Sequence, residues 1–562
     1  MKPFYLCKPY LLYHKHALIA YITIILAGAA IAILSPYIIG DFLDTLISGA
    51  DMGVIFSFCI IFGGMSLLKT IKGYVAGIMY TKMQVNMSYK FNRAVIKHIH
   101  GLSLSYLNQE DSGYLSQRVG VDTASLVGYC ISVLRNIISN VIVLVAPFVI
   151  LLRMNWFIAV LMLGFIGIYT ALYFVFKKLL YRAGLAFREA QARFYSRLLE
   201  QFKHIKLIKL NSLQSESIKR ADDSYSVYED ATINNQRVSY LYHSMDETVS
   251  TIAQVVLFVI GGIQVMAGNF TIGMFTIFTS YFKMMLGASR YFFGLGALYQ
   301  NTLVAYDRIR KLLSYQEENQ GDTIISDINQ IDLRNVRFSY WADPVNGCAT
   351  KSVINGLNVS FSKGNIYAVV GANGTGKSTL VSLMLGMYID EYKGSIVYDG
   401  IDIRNIDMIV ARKRLIGFAE QEPQLMNDTV RYNIDFDNID LVNEKYLDED
   451  FYKSISYHAN FLGLQDFLTD KGLGYTINEK NTNTSGGEKQ KISILKVLYK
   501  NPIVMVFDEP NSALDARSTE MFFSHLNKIK RDKIVIIITH DETVKKCCDL
   551  VIEMDKCGQL QV

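Results

Sequence analysis

Proline is scarce in this chain, with 8 in 562 residues. That excludes a Pro-rich linker, and no low-complexity segment takes its place. Charge is thin as well. Asp, Glu, Lys and Arg make up 19% against 51% hydrophobic residues, and mean hydropathy is +0.21. A soluble enzyme normally carries more charge than this. The 7 cysteines are scattered, and no pair has zinc-site spacing. The adjacent Cys547 and Cys548 read as reduced or buried thiols. Net charge is +5, which suits basic flanks on a membrane protein, and nothing else suggests nucleic acid as a partner.

What is present is distributed unevenly. A chain of 562 residues is too long for one core, so at least two domains are expected. The apolar excess lies in the N-terminal half, where runs near 17–40, 53–80, 130–152, 156–178, 248–267 and 273–300 are long enough to cross hydrocarbon. The second and last are less uniformly apolar. The first is too long for a signal-peptide core and has no small-residue cleavage site after it, so it is read as a retained span. Lys2, Lys8 and Lys15 precede it, whereas the following loop carries Asp41, Asp44 and Asp51 and no basic residue. The positive-inside rule then predicts a cytoplasmic N-terminus, and six spans return the chain to that side. Long polar helical stretches separate spans two and three, and again four and five.

The run Gly371-Ala372-Asn373-Gly374-Thr375-Gly376-Lys377-Ser378-Thr379 fits G-x-x-x-x-G-K-[ST] at every fixed position. Ile366 to Val370 reads as a buried strand entering it, and an apolar helix begins near Leu380. Glycines let backbone N–H groups close around phosphate oxygens, and the helix N-terminus adds positive field. Lys377 is expected on the β- and γ-phosphates and the Ser378 hydroxyl on Mg2+. A second strand, Pro502 to Phe507, ends in Asp508 and Glu509. These carboxylates are expected to hold Mg2+ through water and to polarise the attacking water. A third, Ile534 to Ile538, ends at Thr539-His540, at the sheet edge where α/β folds bind ligands. These residues predict a nucleoside triphosphate site.

Thr484-Ser485-Gly486-Gly487-Glu488-Lys489-Gln490-Lys491 resembles the signature of ATP-binding cassettes, normally written Leu-Ser-Gly-Gly-Gln. Ser512 to Asp515 is similar to that family's D-loop, and Ile416 to Pro423 resembles its Q-loop. Gly113 to Arg118 with Asp122, and Glu200 to Asn211, resemble its two cytoplasmic coupling stretches. Six spans followed by one cassette resemble a bacterial ABC exporter half-transporter. The implied fold is an α-helical six-span transmembrane domain plus an α/β P-loop NTPase domain. Expected boundaries are 1–315 for the transmembrane domain, 316–330 for a linker and 331–562 for the nucleotide-binding domain.

The resemblance implies ATP and Mg2+ as cofactors. ATP would meet Tyr340 at its base. Gly371, Asn373, Gly374, Thr375, Gly376, Lys377, Ser378 and Thr379 would hold its phosphates. Gln421 and Asp515 would complete the site, with Ser378, Gln421 and Asp508 around Mg2+. Ser485, Gly486, Gly487 and Glu488 would contact ATP held by a second subunit. Glu509 and His540 would be the catalytic pair. Two departures stand out: Thr484 replaces Leu and Glu488 replaces Gln. A negative charge at the start of a helix suits the macrodipole but not a nearby phosphate. Since Glu509 and His540 are both present, a homodimer is the simpler expectation, with a heterodimer as the alternative. The implied location is the cell (inner) membrane, multi-pass, with N-terminus and cassette cytoplasmic.

Cargo is less legible. The few residues before the first span leave no room for a peptidase domain. Lys69, Lys72, Lys283 and Arg290 fall inside expected spans, where a charge is costly unless it meets water or a partner. One reading is a basic cavity, lined also by Ser280, Tyr281, Met285, Ser289, Tyr291 and Tyr299, that takes an acidic or amphipathic substrate such as a small peptide. The other has these cations snorkel or pair with acids such as Asp44 or Asp246. The expected activity is export of a small peptide or peptide-like product. Lipid flipping, hydrophobic-drug export and an ATP-gated regulator are the alternatives.

Overall fold

Long helices fill the N-terminal part of the computed structural model, which describes residues 2–49, 51–110, 112–340, 352–436, 449–478, 483–555 and 560–561. In chain order they are α1 (Lys2–Tyr13), α2 (Lys15–Ile47), α3 (Met52–Gly101), α4 (Leu104–Gln109), α5 (Ser112–Gln117), α6 (Thr123–Met154), α7 (Trp156–Lys203), α8 (Ile205–Leu210), α9 (Gln214–Met266) and α10 (Ile272–Leu313). Contacts divide the chain into one unit of Met1–Ile96 with Leu115–Ser314 and another of Lys97–Tyr114 with Tyr315–Val562. The short helix α4 therefore groups with the C-terminal unit, although it precedes most of the apolar sequence.

Among the described residues, five segments are long and apolar enough to cross a membrane: Lys15–Ile47, Met52–Gly101, Ser112–Met154, Trp156–Lys203 and Gln214–Met266. The sixth expected span corresponds to α10. It is helical throughout, but Lys283 and several Ser and Thr hydroxyls dilute its apolar run. Within this unit α7 pairs with α9, and the ring contacts Phe176–Tyr242, Phe187–Tyr228 and Phe194–Tyr228 follow the pair. Helix α10 packs on α2 and α6. Its start is fixed by Asp44, whose Oδ1 accepts from the Gly273 N–H at 2.7 Å. A Cβ on Gly273 would lie 2.0 Å from the Gly40 carbonyl oxygen, so only glycine allows this approach. Between α5 and α6 the chain makes a π-turn, Arg118–Asp122, that encloses a buried Arg118–Asp122 ion pair.

Among its described residues, the second unit contains two sheets. The first is antiparallel, ordered β2-β1-β4-β5, from β1 (Gln330–Ser339), β2 (Ser352–Ser362), β4 (Lys393–Tyr398) and β5 (Ile401–Asp402). The second is ordered β10-β9-β3-β8-β7-β6, from β3 (Ile366–Gly371), β6 (Ile416–Ala419), β7 (Val504–Asp508), β8 (Ile534–Ile538), β9 (Leu550–Met554) and β10 (Leu560–Gln561). All its strands are parallel except β10. Strand β8 is Ile-Val-Ile-Ile-Ile and wholly buried, the continuous apolar run of a parallel strand covered on both faces. The covering helices are α11 (Lys377–Met384), α12 (Met408–Arg414), α13 (Val430–Ile434), α14 (Glu449–Phe461), α15 (Gln465–Lys471), α16 (Gly486–Lys500), α17 (Ala516–Ile529) and α18 (Glu542–Lys545). Two apolar clusters form the core. One is built around Phe338, Val369, Leu380 and Tyr398, the other around Phe507, Ile492, Leu495 and Phe522.

Candidate nucleotide site

Sheet order assembles the site. Strands β3 and β7 both flank β8, with Val369 and Asp508 in register with Ile538. The phosphate loop, the Asp508–Glu509 pair and the Thr539–His540 turn therefore leave one carboxyl edge side by side. Gly371, at φ +154°, starts the loop, and a Cβ there would sit 2.6 Å from the Met554 carbonyl oxygen. Gly376, at φ +100°, ends it and caps α11. Lys377 arches back over the loop and donates from Nζ to the Gly371 and Ala372 carbonyls at 2.8 and 3.1 Å. Thr375 Oγ1 donates to the Ala372 carbonyl at 3.0 Å. The Tyr340 hydroxyl is 2.9 Å from Thr379 Oγ1, and its ring meets Phe338 edge-on at 5.0 Å.

Asp508 closes β7 beside the loop, with the Ser378 hydroxyl near its carboxyl. Burial, and then the neighbouring Glu509 carboxylate, push its carboxyl up to about 6 against the opposing pull of Lys377 and Ser378. A hydroxyl and a carboxylate this short of compensating charge form a hard oxygen pair that fits Mg2+.

Glu509 has left-handed backbone, at φ 49° and ψ 51°, which costs a non-glycine residue about 1 kcal/mol or more. The turn aims its carboxylate between two groups. Oε2 accepts from Gln421 Nε2 at 2.8 Å, and Oε1 lies 2.9 Å from His540 Nδ1. His540 is 70% exposed and Glu509 only 15%, so the carboxylate is sheltered while the imidazole faces out. The structure thus joins Gln421, Glu509 and His540 directly. Two neighbours of this turn escaped the sequence reading. Gln490 donates from Nε2 to the Glu509 carbonyl at 2.8 Å, and the Ser512 hydroxyl donates to Gln490 Oε1 at 2.7 Å. Both lie within motifs already singled out, but their side-chain partners depend on how α16 packs.

The signature residues sit on the end of α16. Ser485 is its N-cap, with Oγ accepting from the Glu488 N–H at 3.2 Å, while Glu488 Oε2 accepts from the Ser485 N–H at 2.7 Å. That reciprocal pair is a capping box, so the Glu488 charge serves its own helix. Gly486 and Gly487 form its first turn. Thr484 is buried, and its hydroxyl has no hydrogen-bond partner among the described residues. Asp515 caps α17 by accepting from the Ser518 N–H at 2.7 Å, which holds its carboxyl below the usual range.

The residues proposed for a substrate cavity fall in different settings of the helical unit. Tyr281, Met285 and Ser289 are buried in the helical core, with the Tyr281 hydroxyl donating to the Ile33 carbonyl at 2.7 Å and the Ser289 hydroxyl donating to the Met285 carbonyl at 2.9 Å. Arg290 pairs with Asp246 at 2.8 Å, which is the pairing alternative. Asp44 serves the start of α10 and takes no part in it. Lys69 and Lys283 are exposed, Lys72 and Ser280 are half-buried, and Lys72 lies over Gly28. The Tyr299 ring is 6.3 Å from that of Tyr129. A separate cavity of about 710 Å3 opens among α3, the π-turn, α6 and α10. Tyr80, Gln84, Asp122, Ser125, Thr302 and Arg308 line it, and none of the nominated residues does.

Comparison with known proteins agrees with this layout. Residues 18–289 match the ABC transporter transmembrane region, and residues 354–512 match the ABC transporter domain, which implies ATP binding. The chain is 24% identical over 495 residues to the ATP-dependent lipid A-core flippase of Saccharophagus degradans, covering 87% of this chain and 81% of that protein. It is 28% identical to the leukotoxin translocation ATP-binding protein LktB of Mannheimia glucosida, over 64% of this chain and 49% of the relative. It is 26% identical to ABC transporter B family member 1 of Dictyostelium discoideum, over 80% and 48%. The chain thus spans about half the length of these last two. A bacterial Atm1-family ABC exporter, solved with ATP bound, superposes with a TM-score of 0.81 at 20% identity, covering 98% of this chain and 95% of that one. A helical transmembrane region and one cassette joined in a single chain place this protein in the ABC transporter family, as a half-transporter with the exporter fold.

Proposed function

We propose that this chain is half of an ATP-driven exporter, acting as a homodimer in the cell membrane with N-terminus and cassette cytoplasmic, and that its cargo is a small peptide or peptide-like product. The observation that carries the ATP chemistry is the Glu509 carboxylate held between Gln421 and His540 at the edge of the phosphate loop. Loop amides and Lys377 would bind the phosphates, and Tyr340 would stack on the base. Ser378 and Asp508 would hold Mg2+, which neutralises phosphate charge when bound. Glu509 would orient the attacking water, with His540 beside the γ-phosphate.

The second copy would present Ser485, Gly486 and Gly487 to the same nucleotide. The α8 hairpin tip supports a partner, since Phe202, Ile205, Leu207 and Leu210 are all exposed there. Toxin translocators among the relatives support a peptide cargo. A second reading, lipid flipping, is favoured by the flippase match, which extends over 81% of that relative.

The test is ATP hydrolysis in liposomes against a panel of peptides and labelled lipids. Glu509→Gln should lower the rate at least about 100-fold, and chelating Mg2+ should abolish it. Peptide stimulation that depends on Glu509 supports peptide export. Leaflet exchange of labelled lipid without peptide supports the flippase. An inert purified chain would sink the homodimer.

A further inference from the structure

The turn that carries Glu509 is fastened to the signature helix by one side chain. Gln490 is 5% exposed, and both ends of its amide are engaged. Nε2 donates to the Glu509 carbonyl at 2.8 Å, and Oε1 accepts from the Ser512 hydroxyl at 2.7 Å. Ser512 Oγ also lies 2.9 Å from that carbonyl, and the Ser512 N–H donates to it at 3.2 Å. The Glu509 N–H donates to the Ile538 carbonyl at 2.9 Å. Those bonds clamp a residue whose left-handed backbone is otherwise unfavourable. Of the clamping groups, Gln490 alone belongs to α16, the helix whose first turn is Gly486-Gly487 behind the Ser485 cap.

We infer that Gln490 is a positioning residue for hydrolysis: it holds the Glu509 turn so that the carboxylate stays between Gln421 and His540, and it ties that aim to the placement of the signature helix. The inference rests on the proposed role of Glu509 as the group that orients water. Gln490 touches no nucleotide-binding group described above, so its loss should affect the chemical step and leave binding alone. A misplaced reacting group costs far more in rate than in affinity.

The experiment uses the full-length protein in lipid nanodiscs. Gln490→Leu removes donor and acceptor at similar volume, Gln490→Glu keeps an acceptor for Ser512 but loses the N–H, and Ser512→Ala keeps the Gln490 bond to Glu509. The two Gln490 variants should lose about 10- to 100-fold in kcat, with KM and nucleotide Kd within about twofold. Ser512→Ala should lose less. Without nucleotide, Gln490→Leu should speed amide hydrogen exchange across 509–513 and leave the β1–β2 sheet unchanged. Unaltered kcat in Gln490→Leu overturns the inference, and so does a fall in kcat matched by lost affinity and faster exchange everywhere. A wild type without ATPase activity would sink the homodimer reading, and unaltered exchange at 509–513 would then overturn the clamp by itself.

Discussion

Asp508 gives the site a pH dependence that can be separated from catalysis. Its carboxyl moves from an ordinary 3.8 up to about 6. Between those values the folded protein holds a proton that the unfolded chain has released, so the Asp508 contribution is fully present below pH 3.8 and is lost as pH rises through about 6. Asp508→Asn should therefore raise Tm by a few degrees at pH 8 without nucleotide, and the gain should shrink toward pH 4. An equal gain at both pH values would rule out this cause. The acidic pair was legible from the sequence because an apolar strand ending in two carboxylates has few other readings. The left-handed backbone of Glu509 and its tie to Gln490 were not, since both arise from contacts between segments far apart in the chain.

Among the elements, α16 makes the clearest case. Its capping box predicts that Ser485→Ala costs about 0.5–2 kcal/mol of stability, read as a lower Tm. Glu488→Gln should stay within a few tenths, because a glutamine can complete the same box. Helix capping thus accommodates the glutamate that stands in for the usual glutamine, a role visible only once the backbone of Ser485 is placed. Helices α14 and α17 carry a second pair. The His458 and His525 rings are 5.2 Å apart, and burial, then His458 and Lys528, lower the His525 imidazole from 6.5 to about 4. A depressed histidine favours the folded state above pH 6.5, and that advantage is lost as pH falls toward about 4. His525→Phe should flatten Tm across this window. Helix α10 shows where periodicity stops helping: Tyr281, Met285 and Ser289 share one face, but nothing in the spacing says whether that face meets core or cavity.

For the whole molecule, the exposed tip at α8 predicts that Leu207→Glu with Leu210→Glu weakens the coupled activity of the proposed dimer. Basal hydrolysis should lose its response to cargo, while Tm of the cassette stays unchanged. Inside the second unit, the segment Lys97–Tyr114 is held by contacts of another kind. His98 Nδ1 lies 2.8 Å from Glu317 Oε1, the Glu318 N–H donates to the Gly101 carbonyl at 2.7 Å, and the Tyr106 and Tyr315 rings are 4.2 Å apart. Ser105 also donates to Glu391. Tyr106→Ala should keep basal ATPase within about twofold and lose most cargo stimulation; intact stimulation would show that these contacts only pack.

That same grouping of Lys97–Tyr114 with Tyr315–Val562 sets a schedule for biosynthesis. A ribosome emits α4 long before any strand it will rest against, and at about 5–20 residues per second the wait is on the order of tens of seconds. The second unit therefore closes only when a segment made early meets strands made late. Its last step recruits a segment already delivered with the first long helices, which postpones completion of that unit until nearly the whole chain has been made.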